Sequence, residues 1–193
     1  MITKKSFSYN TRAFSEKAFN NHITLYNGYV DKNNEITEAL KATPDYAEAN
    51  AVYSKLRSLK KGQTFTLDSV ILHEEYFRNM SAATLTPGKN TLKLFDAYFG
   101  SYEKWLADFT ATAKCARGWC VLAYDQRSKT AANFLSDSHD NGIISLSYPI
   151  LVLDMYEHAY YMDYGTDKAS YITNFVRSID WAYVEAKASK LIL

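Results

Sequence analysis

The chain has 193 residues, a formal net charge of +1 and a composition that is 47% hydrophobic and 15% aromatic. This composition excludes a disordered chain, and the charge gives no reason to expect nucleic acid or an acidic membrane surface as the main partner. The sequence contains no apolar run of about 20 residues, so no membrane span is predicted. The first residues contain no apolar signal segment and the two cysteines lack a C-x-x-C spacing, so we expect a cytoplasmic protein with unpaired thiols.

The first half of the chain predicts a helical hairpin. Apolar residues at helical spacing predict a helix over 15–40, which Pro44 ends or interrupts. A polar helical stretch is expected over 45–61, closed by Gly62. A second helix with its own apolar stripe is predicted over 67–80.

The second half predicts a sheet flanked by helices. The turn signal at 86–90 predicts a junction between an N-terminal helical hairpin domain, 1–86, and a C-terminal α/β domain, 87–193. One helix is predicted over 90–115 and a final helix over 170–187. Strands are predicted between these helices, at 119–124, 130–135 and 143–153. Helices followed by strands indicate an α+β fold with a three-stranded antiparallel sheet.

The chain has only four histidines, which are His22, His73, His139 and His158. In the strongest motif, Asp154-Met-Tyr-Glu-His158, a strand-like apolar run ends in a carboxylate and then an imidazole. Carboxylate oxygen and imidazole nitrogen together suit ions such as iron, manganese and zinc. The pattern therefore predicts one metal site that is shared by most of the histidines.

Several motifs occur along the chain in an order that is similar to that of a known enzyme family. They are Leu72-His73-Glu74-Glu75-Tyr76-Phe77, Phe99-Gly100-Ser101, Gly118-Trp119 and the run Asp154-x-x-Glu157-His158-Ala159-Tyr160-Tyr161. On these motifs the chain resembles the iron/manganese superoxide dismutase family nearly from end to end. The resemblance implies conversion of superoxide to dioxygen and hydrogen peroxide by redox cycling of one iron or manganese ion per subunit.

The resemblance implies four metal ligands, three of which match the family by position: His73, Asp154 and His158. The fourth comes from the first helix, where most members have a histidine eight residues before the tyrosine that corresponds to Tyr29. Asn21 stands eight residues before Tyr29, and His22 stands seven before it. A seven-residue step returns to within about 20° of the same helix face, whereas an eight-residue step needs a π-bulge. His22 is therefore the predicted ligand, on a regular helix.

The resemblance also implies roles for residues that do not bind the metal. His139 stands where many manganese members carry a glutamine that hydrogen-bonds the metal-bound solvent, and Ser69 is too short to act from the other side. Tyr29 corresponds to a tyrosine at the channel mouth that takes part in proton delivery. Glu157 corresponds to a glutamate that pairs with the ligand histidine, here His158, of the other subunit in a homodimer. A surface loop histidine is the alternative for His139.

Departures from the family leave other functions open. Leu25 replaces a histidine near the substrate entrance, and Tyr156 replaces a tryptophan between the last two ligands. Leu25 and the one-residue deletion before Tyr29 support a catalytically weakened metal-binding paralogue as the alternative. A non-haem iron oxygenase or a zinc hydrolase is a further alternative, but a site with two histidines and one carboxylate leaves the match of His22 unexplained. Iron and manganese share this ligand set, and the histidine at position 139 favours iron.

Overall fold

The computed structural model describes residues 1–42, 46–83, 85–142 and 144–191. Helices form most of the first half and an antiparallel sheet with further helices forms the second half, so the predicted α+β fold is confirmed. The elements are α1 (Glu16–Lys41), α2 (Lys55–Arg78), α3 (Lys89–Tyr98), α4 (Tyr102–Cys115), β1 (Trp119–Asp125), β2 (Thr130–Ser136), β3 (Ser147–Asp154), α5 (Glu157–Tyr164), α6 (Lys168–Arg177) and α7 (Trp181–Ala188). Within the described ranges, none of the helices is both long enough and apolar enough to pass through a membrane.

The predicted hairpin consists of α1 and α2, and each helix begins after a capping serine. Ser15 Oγ accepts a hydrogen bond from the Ala18 N–H at 3.2 Å, and Ser54 Oγ accepts one from the Arg57 N–H at 3.1 Å. Every residue of α1 is α-helical, so the predicted helix without a π turn is confirmed. Aromatic residues of α1 pack against Phe77 of α2, which joins the two helices on their inner faces.

Two details of the hairpin differ from the prediction. α2 starts only at Lys55, because the Asn50 side chain bonds the backbone of the residues that follow it and holds them in a turn. Gly62 lies inside α2 instead of closing a helix. A Cβ atom at this position would lie 2.9 Å from Cδ1 of Ile36 in α1. The glycine therefore permits close approach of the two helices. Two predicted boundaries fall outside the described residues, at Pro44 and Ile143.

The prediction of two long helices in the second half was wrong, because each of them is broken into two shorter helices. Gly100 has a φ of +87° and its N–H bonds the Phe95 carbonyl at 2.9 Å, which ends α3. Ser101 then caps α4. The break between α6 and α7 is set by Asp180, whose carboxylate accepts from the Tyr183 N–H at 3.0 Å. The short helix α5 was not predicted at all.

The sheet brings residues that are far apart in sequence to one face of α2. It has three antiparallel strands, as predicted, in the order β2-β1-β3, and β3 begins only at Ser147. Trp119 at the start of β1 lies opposite both Ser136 of β2 and Asp154 of β3. The Trp119 ring also contacts His73 of α2, with ring centroids 5.0 Å apart. The division of the chain at residue 86 stays a prediction.

Candidate metal centre

Four side chains from four elements converge where the helical hairpin meets the sheet. They are His22 of α1, His73 of α2, Asp154 at the end of β3 and His158 of α5. One nitrogen or oxygen atom from each lies within 4.8 Å of all the others. The fold therefore brings together all four residues that the sequence predicted as ligands, including His22 instead of the exposed Asn21.

One carboxylate oxygen of Asp154 lies at the centre of this cluster. Oδ2 is 3.2 Å from His22 Nε2, 3.1 Å from His158 Nε2 and 3.7 Å from His73 Nε2. Oδ1 accepts a hydrogen bond from the Tyr156 backbone N–H at 2.9 Å, which orients the carboxylate. Burial by itself would raise the pKa of Asp154, but the imidazole of His158, which bonds the same carboxylate, holds this pKa well below its usual range. Asp154 is therefore a buried anion that faces three imidazoles.

The tautomer of His73 directs its second nitrogen into the cluster. The Nδ1–H donates to the Ser69 carbonyl at 2.7 Å, which leaves Nε2 with its lone pair towards Asp154. Burial lowers the pKa of His22 and, more strongly, that of His73, so both rings are neutral at neutral pH.

The ring nitrogens fit a bound cation. Among the described residues, His22 Nε2 and His73 Nε2 are buried and have no hydrogen-bond partner. His22 Nε2 is close to Asp154 but without hydrogen-bond geometry. A buried polar atom without a partner costs about 1–3 kcal/mol, and a cation that accepts both lone pairs would remove this cost. The set of three imidazoles and one carboxylate suits a divalent or trivalent iron or manganese ion.

His139 and Tyr29 form a second polar group beside the cluster. His139 is only 1% exposed, so the alternative of a surface histidine was wrong. Its Nδ1 accepts from the Trp119 indole N–H at 3.0 Å, and its Nε2 lies 3.1 Å from the Tyr29 hydroxyl oxygen. Burial lowers the pKa of His139 to about 4, which makes it neutral at neutral pH. Burial has the opposite effect on the phenol of Tyr29, whose pKa it raises.

A pair of tyrosines holds the backbone of Asp154 through hydrogen bonds that the sequence did not predict. Tyr171 of α6 donates its hydroxyl to the Asp154 carbonyl at 2.8 Å, and the Tyr76 and Tyr171 hydroxyl oxygens are 2.9 Å apart. Both side chains are completely buried. Tyr76 belongs to the motif at 72–77, but the abundance of tyrosine, 16 residues, does not indicate that Tyr171 is its partner.

The fourth ligand candidate lies on the open side of the cluster. The His158 side chain is 30% exposed, whereas those of His22, His73 and Asp154 are at most 1% exposed. Next to it, Glu157 is exposed at the start of α5. Both residues face a surface groove whose other lining residues are Asn21, His22, Leu25, Tyr161 and Met162.

Comparison with known proteins decides the family. Residues 87–187 match the C-terminal domain of iron/manganese superoxide dismutases. The chain is 37% identical over 164 residues to superoxide dismutase [Mn] 1 of Halobacterium salinarum, covering 83% of this chain and 78% of that protein. The chain belongs to the iron/manganese superoxide dismutase family.

Relatives named for either metal are similar to this family member. Superoxide dismutase [Fe] of Cupriavidus metallidurans is 34% identical over 171 residues, which is 86% of this chain and 84% of the relative. Superoxide dismutase [Fe] of Aquifex pyrophilus is 36% identical over 174 residues, which is 86% of this chain and 79% of the relative. A metal cofactor is therefore supported, but these names do not distinguish iron from manganese.

Aromatic rings enclose the cluster, and one of them, the ring of Tyr156, departs from the family pattern. Tyr156, where the family usually has tryptophan, stacks on His158 at a centroid distance of 5.2 Å and contacts His139 at 4.9 Å. Phe77 contacts His22 at 5.0 Å. In this family member Tyr156 therefore packs against both His158 and His139 and adds a hydroxyl group beside them.

Proposed function

We propose that this chain is a superoxide dismutase that uses one iron or manganese ion per subunit, held by His22, His73, Asp154 and His158. The observation that supports these ligands best is the pair of buried Nε2 atoms, on His22 and His73, that lack a partner beside the Asp154 carboxylate. Family membership supports superoxide as the substrate, because the relatives carry that activity in their names.

The bound ion would supply one-electron transfer by alternating between its trivalent and divalent states. The neutral imidazoles would offer lone pairs without adding positive charge, and Asp154 would offset part of the cation's charge. The rings of Phe77, Trp119 and Tyr156 would exclude bulk water and keep the imidazoles in place. Hydrogen bonds behind a ligand fix its orientation and basicity, and the Ser69 carbonyl supplies such a bond to His73.

Tyr29 and His139 would control the movement of protons at the site. Peroxide formation consumes protons, and the half-buried Tyr29 lies in a groove between α1 and α2 through which water and a small anion could approach. His139 bonds the Tyr29 hydroxyl from the protein side. The role of His139 would thus be to set the properties of Tyr29 and of solvent near it, without binding the metal.

The open side of the site supports a homodimer. We propose that Glu157 of each subunit bonds His158 of the other, so that the twofold partner covers the exposed imidazole. The exposure of both side chains on one groove is the support for this arrangement. A cytoplasmic location stays a prediction.

A weakened paralogue is the less well supported alternative. The regular first helix places His22 in the cluster, so the one-residue deletion does not remove a ligand candidate. The replacement at Leu25 still distinguishes this chain from the family pattern.

The test is to purify the full-length chain with iron and, separately, with manganese, and to measure metal content and superoxide consumption on the same samples. We expect one ion per chain and rapid superoxide loss with at least one of the two metals. A chain that holds one ion but does not consume superoxide would be the weakened paralogue. A chain that retains neither metal would contradict the ligand assignment.

A further inference from the structure

A cavity outside the metal centre opens between α2, the sheet and the segment that joins β2 to β3. We call it the sheet cavity. Its volume of about 290 Å³ is near the lower end of the range for pockets that bind small organic molecules. Ile71 of α2, Val121 of β1, and Ile144 and Leu146 of the joining segment are among the residues that line it. None of the four ligand candidates of the metal centre belongs to its lining.

Apolar side chains are exposed around the sheet cavity. Ile71 and Leu135 are 45% and 40% exposed, and Leu146 is 69% exposed. Single exposed apolar residues are common on protein surfaces and need no explanation, but several that line one cavity mark a place where an apolar group can bind. The sheet cavity can therefore take up the apolar part of a ligand.

One carboxylate interrupts the apolar lining. Asp68 is the only charged residue that lines the sheet cavity, and it lies on α2 about one turn before Ile71. Within the described ranges its carboxylate has no hydrogen bond and forms no ion pair. Burial and the nearby Asp140 raise the pKa of Asp68, because both disfavour a negative charge at this position. A cation beside Asp68 would stabilise the carboxylate, and the lining of the cavity does not supply one.

We propose that the sheet cavity binds a small organic ammonium ion. The apolar part of this ion would lie against Ile71 and Leu146, and its ammonium group would donate hydrogen bonds to the Asp68 carboxylate. The site is separate from the metal centre, so the inference does not depend on the proposed function.

Other classes of ligand fit the sheet cavity less well. An anion would lie beside Asp68 in a lining that has no cation. A neutral apolar molecule would displace water from the carboxylate without replacing its hydrogen bonds, which costs free energy. A calcium or magnesium ion needs about six oxygen ligands, and Asp68 is the only carboxylate in the lining. An ammonium ion with an apolar ring matches both the charge and the apolar surface.

Two probes of nearly the same shape separate the effect of charge from that of apolar contact. Phenethylammonium carries the charged group, and phenethyl alcohol replaces it by a neutral hydroxyl. Each probe is titrated into the full-length chain loaded with diamagnetic Zn²⁺, and the isoleucine methyl groups are followed by NMR. Ile71 and Ile144 report on the cavity that they line, and Ile172 in the core of the subunit is the internal control.

We expect both probes to shift the Ile71 and Ile144 signals of the wild type. The ammonium ion should bind about 10-fold more tightly than the alcohol, which is the preference that a hydrogen bond to a charged group provides. Asp68→Asn should lower the affinity for the ammonium ion to that for the alcohol. The matched control is Asp96→Asn, which removes an exposed carboxylate of α3 outside the cavity and should keep the preference.

A third variant, Ile71→Trp, fills the cavity from a partly exposed position and should abolish the binding of both probes. Equal affinity of the wild type for the two probes would overturn the inference, and so would a preference that Asp68→Asn retains. Absence of binding to the wild type would also overturn it, and sedimentation at several protein concentrations would then show whether a second copy of the chain covers the cavity. If Ile71→Trp does not fold, the wild type and Asp68→Asn still decide.

Discussion

The two sides of the metal centre differ in how completely one chain encloses them. On the inner side the side chains of His22, His73 and Asp154 are at most 1% exposed. On the outer side His158 is 30% exposed and stands next to the exposed Glu157. The inner side is thus complete within a single subunit, whereas the outer side has an imidazole that a partner can still cover.

The reason for this difference lies in the elements that carry the residues. α2 packs on both α1 and β3, and the three elements place polar side chains at a shared junction. α5 is a short helix that follows β3 directly and lies at the surface of the subunit. Substitutions on the inner side should therefore affect metal binding directly, and those on the outer side should act partly through association.

The largest effect is expected for Asp154→Asn on the inner side. This change removes the anion that faces all three imidazoles. It should lower metal affinity by more than about 100-fold, because a ligand is lost, whereas loss of a residue that only hydrogen-bonds a ligand typically costs about 10- to 100-fold. Metal content after dialysis measures it. Asp31→Asn, which removes an exposed carboxylate from α1, is the control and should keep its metal. Full metal content in Asp154→Asn would contradict the ligand assignment.

A second pair of variants compares neighbours on α1. His22→Ala should lose most of its metal and at least about 10-fold in activity, while Asn21→Ala should resemble the wild type, because only His22 lies in the cluster. Metal analysis and superoxide consumption check both variants. The opposite ranking would mean that the eight-residue spacing of the family, and not the seven-residue spacing found here, selects the ligand.

The ligand candidates could be predicted from the sequence because their signals are local. His158 follows Asp154 within one short run that matches the family motif. The resemblance points to the segment before Tyr29, and the seven-residue step from His22 to Tyr29 fits a regular helix. The breaks at Gly100 and Asp180 were missed because apolar residues continue at helical spacing on both sides of each break.

The outer contacts of the site could not be predicted in the same way. Tyr76 and Tyr171 are separated by 95 residues, and Trp119 and His139 by 20. Nothing local distinguishes a tyrosine or tryptophan that packs in the core from one that also donates a hydrogen bond to the site. Only the approach of α6 to β3 and of the loop after β2 to β1 creates these partners.

His139→Ala tests a residue that is buried like the inner ligand candidates but bonds none of them in the described structure. Because His139 bonds Tyr29 and Trp119, we expect the variant to keep most of its metal and to lose about 10- to 100-fold in turnover. His139→Gln should keep more activity, since the amide can still donate to Tyr29. Activity per bound ion is the measurement, and a wild-type rate in His139→Ala would refute any role in catalysis.

The smallest effect is expected on the outer side, for Glu157→Ala. If Glu157 bonds His158 of the other subunit, its removal should weaken the dimer and lower metal retention by about 10-fold, because the ligand imidazole loses an orienting partner. Sedimentation at several protein concentrations and metal analysis of the same samples measure the two effects together.

The control for Glu157→Ala must account for its position in the first turn of α5, where a carboxylate also stabilises the helix by about 0.3–1 kcal/mol. Glu16→Ala makes the same change at the first residue of α1, at an exposed site outside the groove. We expect Glu16→Ala to lose a little thermal stability and to keep both its association and its metal. If the two variants behave alike, the effect of Glu157 is that of a helix end, and the outer side of the centre needs no partner subunit.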